Sequence, residues 1–332
     1  MRIVAVVVTR DRPQLLLQVL AALQSQHLPP DHVVVVDNGS GPETRAVLAR
    51  FPVLEVLRPG GNLGGAGGFA LGMRQALAGG CDWIWLLDDD AVPRPDALAR
   101  LAKALASHIG AAGAPGAVAP AVFEFGALAL AHRRRYHLFS GIERVIAPAD
   151  YCRAAVPVDT ASFVGLLVSA RAAAACGLPD AALFLSYEDT DYCLRLRRAG
   201  WPLWLAPGSA VDHLRAPAGR MRAGPISPRH YYNLRNRVVV ARRHAHLPRL
   251  AGSIATLTGL ALWLACRGRF RKGAWRIVRQ ALSDGWAGRL GPCPALLDGR
   301  PPDGAPGLDA DRQGLVKDDW HKRRHGGRHG GH

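Results

Sequence analysis

The first hundred residues alternate between continuous apolar runs and segments in which apolar residues recur at helical spacing. The continuous runs predict four strands, at 4–8, 33–36, 53–57 and 83–87. The segments between them predict helices at 13–24, at 43–50, and from the glycine-rich stretch 60–68 to about residue 78. Strands that alternate with helices usually form parallel sheets through right-handed crossovers. We therefore predict an α/β fold with a mostly parallel central sheet flanked by helices.

The pattern changes twice farther along the chain. Mixed strands and loops are expected in 110–159, followed by helices at 170–176 and 190–199 and a strand at 202–206 that ends in a turn at Pro207-Gly208. Beyond Tyr231 the chain becomes basic and helical, and from about Pro292 it loses apolar periodicity. We expect an α/β domain at 1–230, a basic helical region at 231–291, and a disordered tail at 292–332.

Cysteine usage and the N-terminus indicate the compartment. The six cysteines are scattered, and no two of them form a CxxC pair. This distribution argues against a disulfide scaffold or a structural zinc site. The chain begins directly with a predicted strand and shows no secretory leader pattern. We therefore expect a reduced, cytoplasmic protein.

The positive charge is concentrated in one part of the chain. Lysine and arginine number 42 against 26 acidic residues, which gives a net charge of +16, and fifteen of these bases lie between His213 and Ser283, where there is no acid. This segment predicts an anionic partner. Nucleic acid is one candidate, but the sequence has no recognition motif for it, so no nucleic-acid partner is expected.

An apolar stretch of seventeen residues, 250–266, lies within the basic segment. About twenty residues are usual for a helix that spans a bilayer, and this stretch also contains glycine, serine and threonine. Because basic residues flank it on both sides, the stretch predicts a helix that lies on, or re-enters, the surface of an anionic membrane. We therefore expect the protein to associate peripherally with the inner face of the cell membrane. A buried core helix is the alternative.

Three consecutive carboxylates, Asp88, Asp89 and Asp90, end the fourth apolar run. Open α/β sheets bind ligands at the carboxyl ends of their strands. Adjacent like charges repel one another, so a bound cation would explain the triplet, and oxygen ligands suit Mg²⁺ or Mn²⁺. Acids at the first turn of a helix are the alternative, since Pro93 and Pro95 follow.

Two polar turns come before the triplet. Asp37 follows the second strand, where an acid can bind a ribose or a base edge. The loop from Asn62 through Gly64 and Gly65 to Phe69 opens a helix with four glycines, which would let a phosphate approach the helix N-terminus. A turn that permits close helix packing explains the same glycines equally well.

The segment Tyr187-Glu188-Asp189-Thr190-Asp191-Tyr192 holds three acids within four residues beside bulky tyrosines. N-capping explains one acid, whereas a carboxylate in a partly apolar site is a candidate general base. His213 follows later. One imidazole added to two carboxylates makes a divalent ligand set that suits Mn²⁺ better than Mg²⁺.

In their order and spacing these motifs resemble the family 2 glycosyltransferases of the GT-A fold, over about residues 3–243. Within that family, the loop at 62–69 and the Tyr-Glu-Asp segment look most like the actinobacterial galactofuranosyltransferases. Rhamnosyltransferases share much of the pattern, including Tyr231-Tyr232 and Arg235-Asn236.

The resemblance implies a role for each motif. The nucleotide sugar would bind to a set of residues at the strand ends and in the glycine loop: Thr9, Arg12, Asp37, Asn62, Gly64, Gly65, Asp88 and Asp89. Asp88, Asp90 and His213 would hold Mn²⁺ or Mg²⁺, and Asp189, next to Glu188, would be the catalytic base. The implied donor is UDP-galactofuranose, with dTDP-rhamnose as the alternative, and the implied acceptor is a polyprenyl-pyrophosphate-linked glycan.

Overall fold

The computed structural model describes residues 1–109, 114–137, 143–214, 228–244 and 272–293. The chain divides into two compact units, Met1–Pro292 and Cys293–His332, and of the second unit only Cys293 is described. The segment 250–266 and nearly all of the predicted tail therefore lie outside the described residues. Among the helices that are described, none is both long and apolar enough to cross a membrane.

The described strands are β1 (Ile3–Thr9), β2 (His32–Asp37), β3 (Glu55–Leu57), β4 (Trp83–Asp88), β5 (Ala91–Pro93), β6 (Ala117–Glu124), β7 (Ala127–Leu128), β8 (Arg133–Tyr136), β9 (Glu143–Val145), β10 (Val156–Val158), β11 (Thr160–Ala161), β12 (Leu166–Ser169) and β13 (Leu203–His213). The described α-helices are α1 (Pro13–Gln24), α2 (Pro42–Ala49), α3 (Gly64–Ala78), α4 (Ala97–Ala104), α5 (Ala170–Cys176), α6 (Glu188–Arg198), α7 (Pro228–His244) and α8 (Lys272–Ala287).

The central sheet confirms the predicted α/β fold. Its strand order is β10-β13-β6-β12-β4-β1-β2-β3, and β5 and β7 pair at its side with β13 and β6. Strands β3, β2, β1 and β4 are parallel to one another. Strands β6 and β13 run in the same direction as these four, whereas β12 and β10 run in the opposite direction. A separate antiparallel sheet has the order β11-β8-β9.

Apolar side chains alternate between two cores, one on each face of the sheet. In β1, Val4, Val6 and Val8 belong to one core, whereas Ile3, Ala5 and Val7 belong to the other. Helix α3 covers the first face, and α1 and α4 cover the second. A strand that is buried on both faces needs apolar residues at every position, which is why β1, β2 and β4 are continuous apolar runs.

The predicted turn at Pro207-Gly208 is wrong, because β13 runs through these residues as far as His213. The register of β13 against β6 shifts between Ala206 and Ala210. A bulge of this kind accommodates a proline, which cannot donate to the strand ladder, without ending the strand. His213 is therefore placed by strand pairing and not by a loop.

Helix α7 begins before residue 231 and has a largely buried face that includes Tyr231, Tyr232, Arg235 and Asn236. It packs mainly against α8, and also against α6. The predicted division of the chain at residue 230 stays a prediction.

Candidate active site

The ends of three parallel strands bring the predicted polar residues to one edge of the sheet. In the strand register Thr9 lies opposite Asp37, and Val8 lies opposite Asp88. Asp37 is buried and accepts a hydrogen bond from the backbone N–H of Ser40 at 2.8 Å, which fixes the turn after β2. The other carboxylate oxygen of Asp37 lies 3.6 Å from Nε of Arg58.

Arg12 and Thr9 both contact the acidic triplet. Arg12 donates to Asp89 at 3.0 Å and to Asp90 at 2.7 Å, and the Thr9 hydroxyl donates to the second oxygen of Asp89 at 2.9 Å. Burial alone would lower the pKa of Arg12, but the two carboxylates outweigh it and raise that pKa. Both carboxylate oxygens of Asp89 therefore accept hydrogen bonds from the protein. The predicted roles of Thr9, Arg12 and Asp89 in binding the nucleotide sugar stay predictions.

Asp88, Asp90 and His213 form a compact group whose potential ligand atoms lie within 4.8 Å of one another. The pairing of β13 with β5 sets His213 opposite Ala91, and Nε2 of His213 lies 3.2 Å from Asp90. Burial and the charge of Asp90 raise the pKa of Asp88 to about 7. Burial opposes ionisation of Asp90 as well, but His213 and Arg12 overcome it and lower the pKa of Asp90.

The donor set of this group suits a divalent cation. It combines two carboxylates with one imidazole, a combination that Mn²⁺ accepts readily. Burial and the charge of Asp90 raise the pKa of Asp88, and a bound cation would lower it again. The structure therefore contains a possible acidic metal-binding site where the sequence predicts one.

Two further residues at this group were not predicted from the sequence. Glu124 accepts from Nδ1 of His213 at 2.9 Å and from Nε2 of His132 at 3.0 Å. The two imidazole rings are perpendicular, with centroids 5.2 Å apart, and Nδ1 of His132 contacts the hydroxyl of Ser162 at 2.8 Å. Hydrogen bonding from His132 lowers the pKa of Glu124 to about 2. A charged carboxylate therefore binds Nδ1 of His213, while Nε2 of the same ring faces Asp90.

The glycine loop is packed against another part of the protein. Gly64 has φ +70°, and a Cβ at this position would collide with the carbonyl oxygen of Phe184. A Cβ on Gly65 would lie 3.1 Å from Oε1 of Glu188. Oδ1 of Asn62 accepts from the N–H of Gly64, the first residue of α3, at 2.9 Å. The close packing allowed by these glycines is thus present, and their contact with a phosphate stays a prediction.

Glu188 and Asp189 start α6, two residues earlier than the predicted helix start at Thr190. Glu188 is buried, and within the described part of the chain its Oε2 has no hydrogen-bond partner. Burial, followed by the charges of Asp189 and Asp88, raises the pKa of Glu188 well above its ordinary value. Burial also raises the pKa of Asp189, against the opposing charge of Arg134 and a 2.6 Å hydrogen bond from the N–H of Thr190.

Asp191, the third acid of the segment, has a different set of contacts. It is buried and lies 3.0 Å from Nε of Arg195 and 3.0 Å from Nε2 of His244. The Arg195 contact lies within α6, whereas the His244 contact connects α6 to the end of α7. The acids of the motif therefore have different surroundings, since Asp191 contacts α7 and Glu188 lies near the glycine loop.

Comparison with known proteins shows the family. The model of the family "Glycosyltransferase like family 2" matches residues 2–259. Galactofuranosyltransferase GlfT1 of Mycolicibacterium smegmatis is 37% identical over 231 residues, which are 67% of this chain and 73% of the relative. GlfT1 of Mycobacterium tuberculosis is 34% identical over 246 residues, which are 70% of this chain and 80% of the relative.

Solved structures share the fold at low sequence identity. S. aureus TarS 1-349 in complex with UDP-GlcNAc superposes with a TM-score of 0.58 at 14% identity, over 86% of this chain and 80% of that one. The mannosyltransferase PcManGT from Pyrobaculum calidifontis, in complex with GDP-Man and Mn²⁺, gives a TM-score of 0.53 at 15% identity, over 87% and 88% of the two chains. The chain is a member of the family 2 glycosyltransferases, a hexosyltransferase built on the GT-A fold.

Proposed function

We propose that the protein transfers galactofuranose from UDP-galactofuranose to a hydroxyl group of a polyprenyl-pyrophosphate-linked glycan. The observation that carries the proposal is the grouping of Asp88, Asp90 and His213 at the carboxyl end of β4. After burial and the charge of Asp189, the charge of Asp88 also raises the pKa of Glu188, and Asp189 follows Glu188 in the chain. The similarity to the GlfT1 galactofuranosyltransferases supports the choice of donor.

The reaction requires a base, an electrophilic carbon and a stabilised leaving group. The acceptor oxygen attacks the anomeric carbon while the bond from that carbon to the diphosphate oxygen breaks, so the configuration at the carbon inverts. The hydroxyl proton passes to the carboxylate of Asp189, and the diphosphate departs with the bonding electrons. The raised pKa of Asp189 makes this carboxylate a better proton acceptor than an exposed one.

A divalent cation, Mn²⁺ or Mg²⁺, would be held by Asp88, Asp90 and His213 and would neutralise charge on the diphosphate.

Asp189→Asn should retain donor binding and lose transfer, since only the proton acceptor is missing. Asp90→Asn should lose both Mn²⁺ binding and turnover. The exposed pair of Asp150 with Arg153 supplies a matched control, because Asp150→Asn makes the same chemical change on the surface.

A donor panel tests the sugar. UDP-galactofuranose, UDP-galactopyranose, UDP-glucose and dTDP-rhamnose are each offered with a lipid-linked acceptor, with and without EDTA. We expect transfer from UDP-galactofuranose alone, its loss in EDTA, and its return with Mn²⁺ or Mg²⁺. Transfer from dTDP-rhamnose alone would make the enzyme a rhamnosyltransferase, and full activity in EDTA would exclude the metal.

We also propose that the basic segment binds anionic membrane surfaces and keeps the enzyme at the inner face of the cell membrane. The fifteen lysine and arginine residues between His213 and Ser283 support this, together with a lipid-linked acceptor. Sedimentation with vesicles should show binding to anionic lipid that weakens as salt is raised. Equal binding to neutral and anionic vesicles would contradict it. Deletion of 250–272 should abolish the binding in a chain that remains folded.

A further inference from the structure

The segment that leads into the proposed base has an unusual backbone. Phe184, Ser186 and Tyr187 all have positive φ angles, of 64°, 67° and 68°, and none of them is glycine. Side chains with a Cβ rarely adopt this conformation, so the surrounding structure must hold it in place. Glu188 and Asp189 follow immediately, and their positions depend on how this segment is held.

The carbonyl oxygens of the segment are bound by one buried side chain of α7. The amide nitrogen of Asn236 lies 2.9, 2.9 and 2.7 Å from the carbonyl oxygens of Leu183, Leu185 and Ser186, so its two N–H groups are shared among three acceptors. Asn236 has no exposed surface. The carbonyl between them, that of Phe184, accepts from the N–H of Ala66 in the glycine loop at 3.1 Å.

Arg235 fixes the orientation of this amide. Its Nε donates to Oδ1 of Asn236 at 2.9 Å, so the Asn236 nitrogen, and not its oxygen, faces the three carbonyls. Another guanidinium nitrogen of Arg235 donates to the carbonyl of Leu183 at 2.8 Å. The guanidinium also lies over the rings of Tyr231 and Tyr232, with its central carbon 5.4 and 5.0 Å from their centroids.

We propose that Asn236 is a positioning residue for the Glu188–Asp189 pair. Its carboxamide holds the 183–187 segment in the strained conformation that presents the two carboxylates to the active site. This inference rests on the proposed function in one respect, namely that Asp189 accepts the acceptor proton. It assigns to α7 a part in transfer that does not require contact with either substrate.

The sharpest substitution is Asn236→Asp, which keeps the shape of the side chain and removes both amide donors. It also sets a carboxylate against three carbonyl oxygens. Asn236→Ala removes the donors without adding charge and serves if the aspartate variant does not fold. Asn233→Asp is the matched control, because it makes the same chemical change on the same helix at a partly buried side chain that, among the described residues, has no hydrogen bond to the 183–187 segment.

We expect Asn236→Asp to lower kcat by about 10- to 100-fold, since small displacements of a reacting group cost rate on this scale. The KM for the UDP-sugar should change by less than about twofold, and Asn233→Asp should keep the wild-type kcat. Hydrogen exchange, which needs no substrate, should speed up in 183–191 and remain unchanged in β1 and β4.

The results separate the inference from the function on which it rests. If Asp189→Asn transfers sugar normally, Asp189 is not the base, and the exchange measurement still reports whether Asn236 holds the segment. Unchanged kcat and unchanged exchange in a folded Asn236→Asp or Asn236→Ala would overturn the inference. Equal losses in kcat and donor binding, with faster exchange throughout the sheet, would also overturn it and leave Asn236 a purely structural residue.

Discussion

Replacement of Glu124 by glutamine should weaken metal binding although Glu124 itself is not among the proposed ligands. Its carboxylate accepts from Nδ1 of His213, whose Nε2 faces Asp90. A carboxylate in this place makes the imidazole a stronger ligand and fixes its ring orientation. Glutamine keeps an oxygen that can accept the same hydrogen bonds, so Glu124→Gln removes mainly the charge.

The magnitude follows from the geometry. The side chain of Glu124 is only 12% exposed, and its low pKa keeps it ionised at neutral pH, so the charge acts through a poorly solvated hydrogen bond. Loss of a partner of this kind weakens metal affinity by about 10- to 100-fold, or about 1.4–2.7 kcal/mol. Titration with Mn²⁺, followed by electron paramagnetic resonance, measures the dissociation constant directly. Turnover of the variant should recover as Mn²⁺ is raised.

A neighbouring acid provides the control. Asp212 precedes His213 in β13 but pairs with Arg94, at 2.9 and 3.0 Å. Asp212→Asn makes the same type of change one residue away and should leave Mn²⁺ affinity unaltered. Wild-type affinity in Glu124→Gln would refute the reasoning about His213. Equal weakening in both variants would instead indicate a general disturbance of the strand.

Two further predictions concern stability. Gly64→Ala should destabilise the fold by at least about 2 kcal/mol in thermal unfolding, because the new Cβ would collide with the Phe184 carbonyl at a position of positive φ. Gly60→Ala is the control and should show no such change, since a Cβ there meets no atom within 4 Å. Asp191→Asn should cost about 3 kcal/mol in urea unfolding at pH 7, because it breaks a buried ionic group. Burial alone would raise the pKa of Asp191, but His244 and the arginines lower it. The stabilisation by ionised Asp191 is therefore present above the unfolded pKa of about 3.9. The difference in unfolding free energy between wild type and Asp191→Asn should shrink as the pH falls below about 4. A constant difference from pH 7 to pH 3 would contradict it.

The strands and their polar ends could be predicted because both depend on local sequence. A strand buried on two faces must be apolar throughout, so β1, β2 and β4 are visible as continuous runs. Parallel pairing then brings their carboxyl ends to one edge, which places Thr9, Asp37 and Asp88 in neighbouring positions without further information. The predicted grouping of Asp88 and Asp90 with His213 also agrees with the structure.

Glu124 and His132 could not be found in the same way. They belong to the irregular middle of the chain, and their approach to His213 depends on the pairing of β6 with β13, which joins residues about 90 positions apart. The register of that pairing shifts at a bulge, so sequence spacing gives no guide to which side chain meets the imidazole. The sequence offers one weak signal, a glutamate between two phenylalanines just before a glycine.

The acidic segment at the start of α6 shows why long-range contacts decide the role of each residue. Glu188 faces Gly65, and Asp191 is held by Arg243 and His244 near the end of α7. The same helix holds the residues before Glu188 through Asn236. Asp189 therefore lies between two points that α7 fixes, one on each side in the chain. A fragment ending at residue 230 would contain all the predicted site residues and would still lack both of these supports, so the proposed base depends on residues beyond the predicted domain boundary.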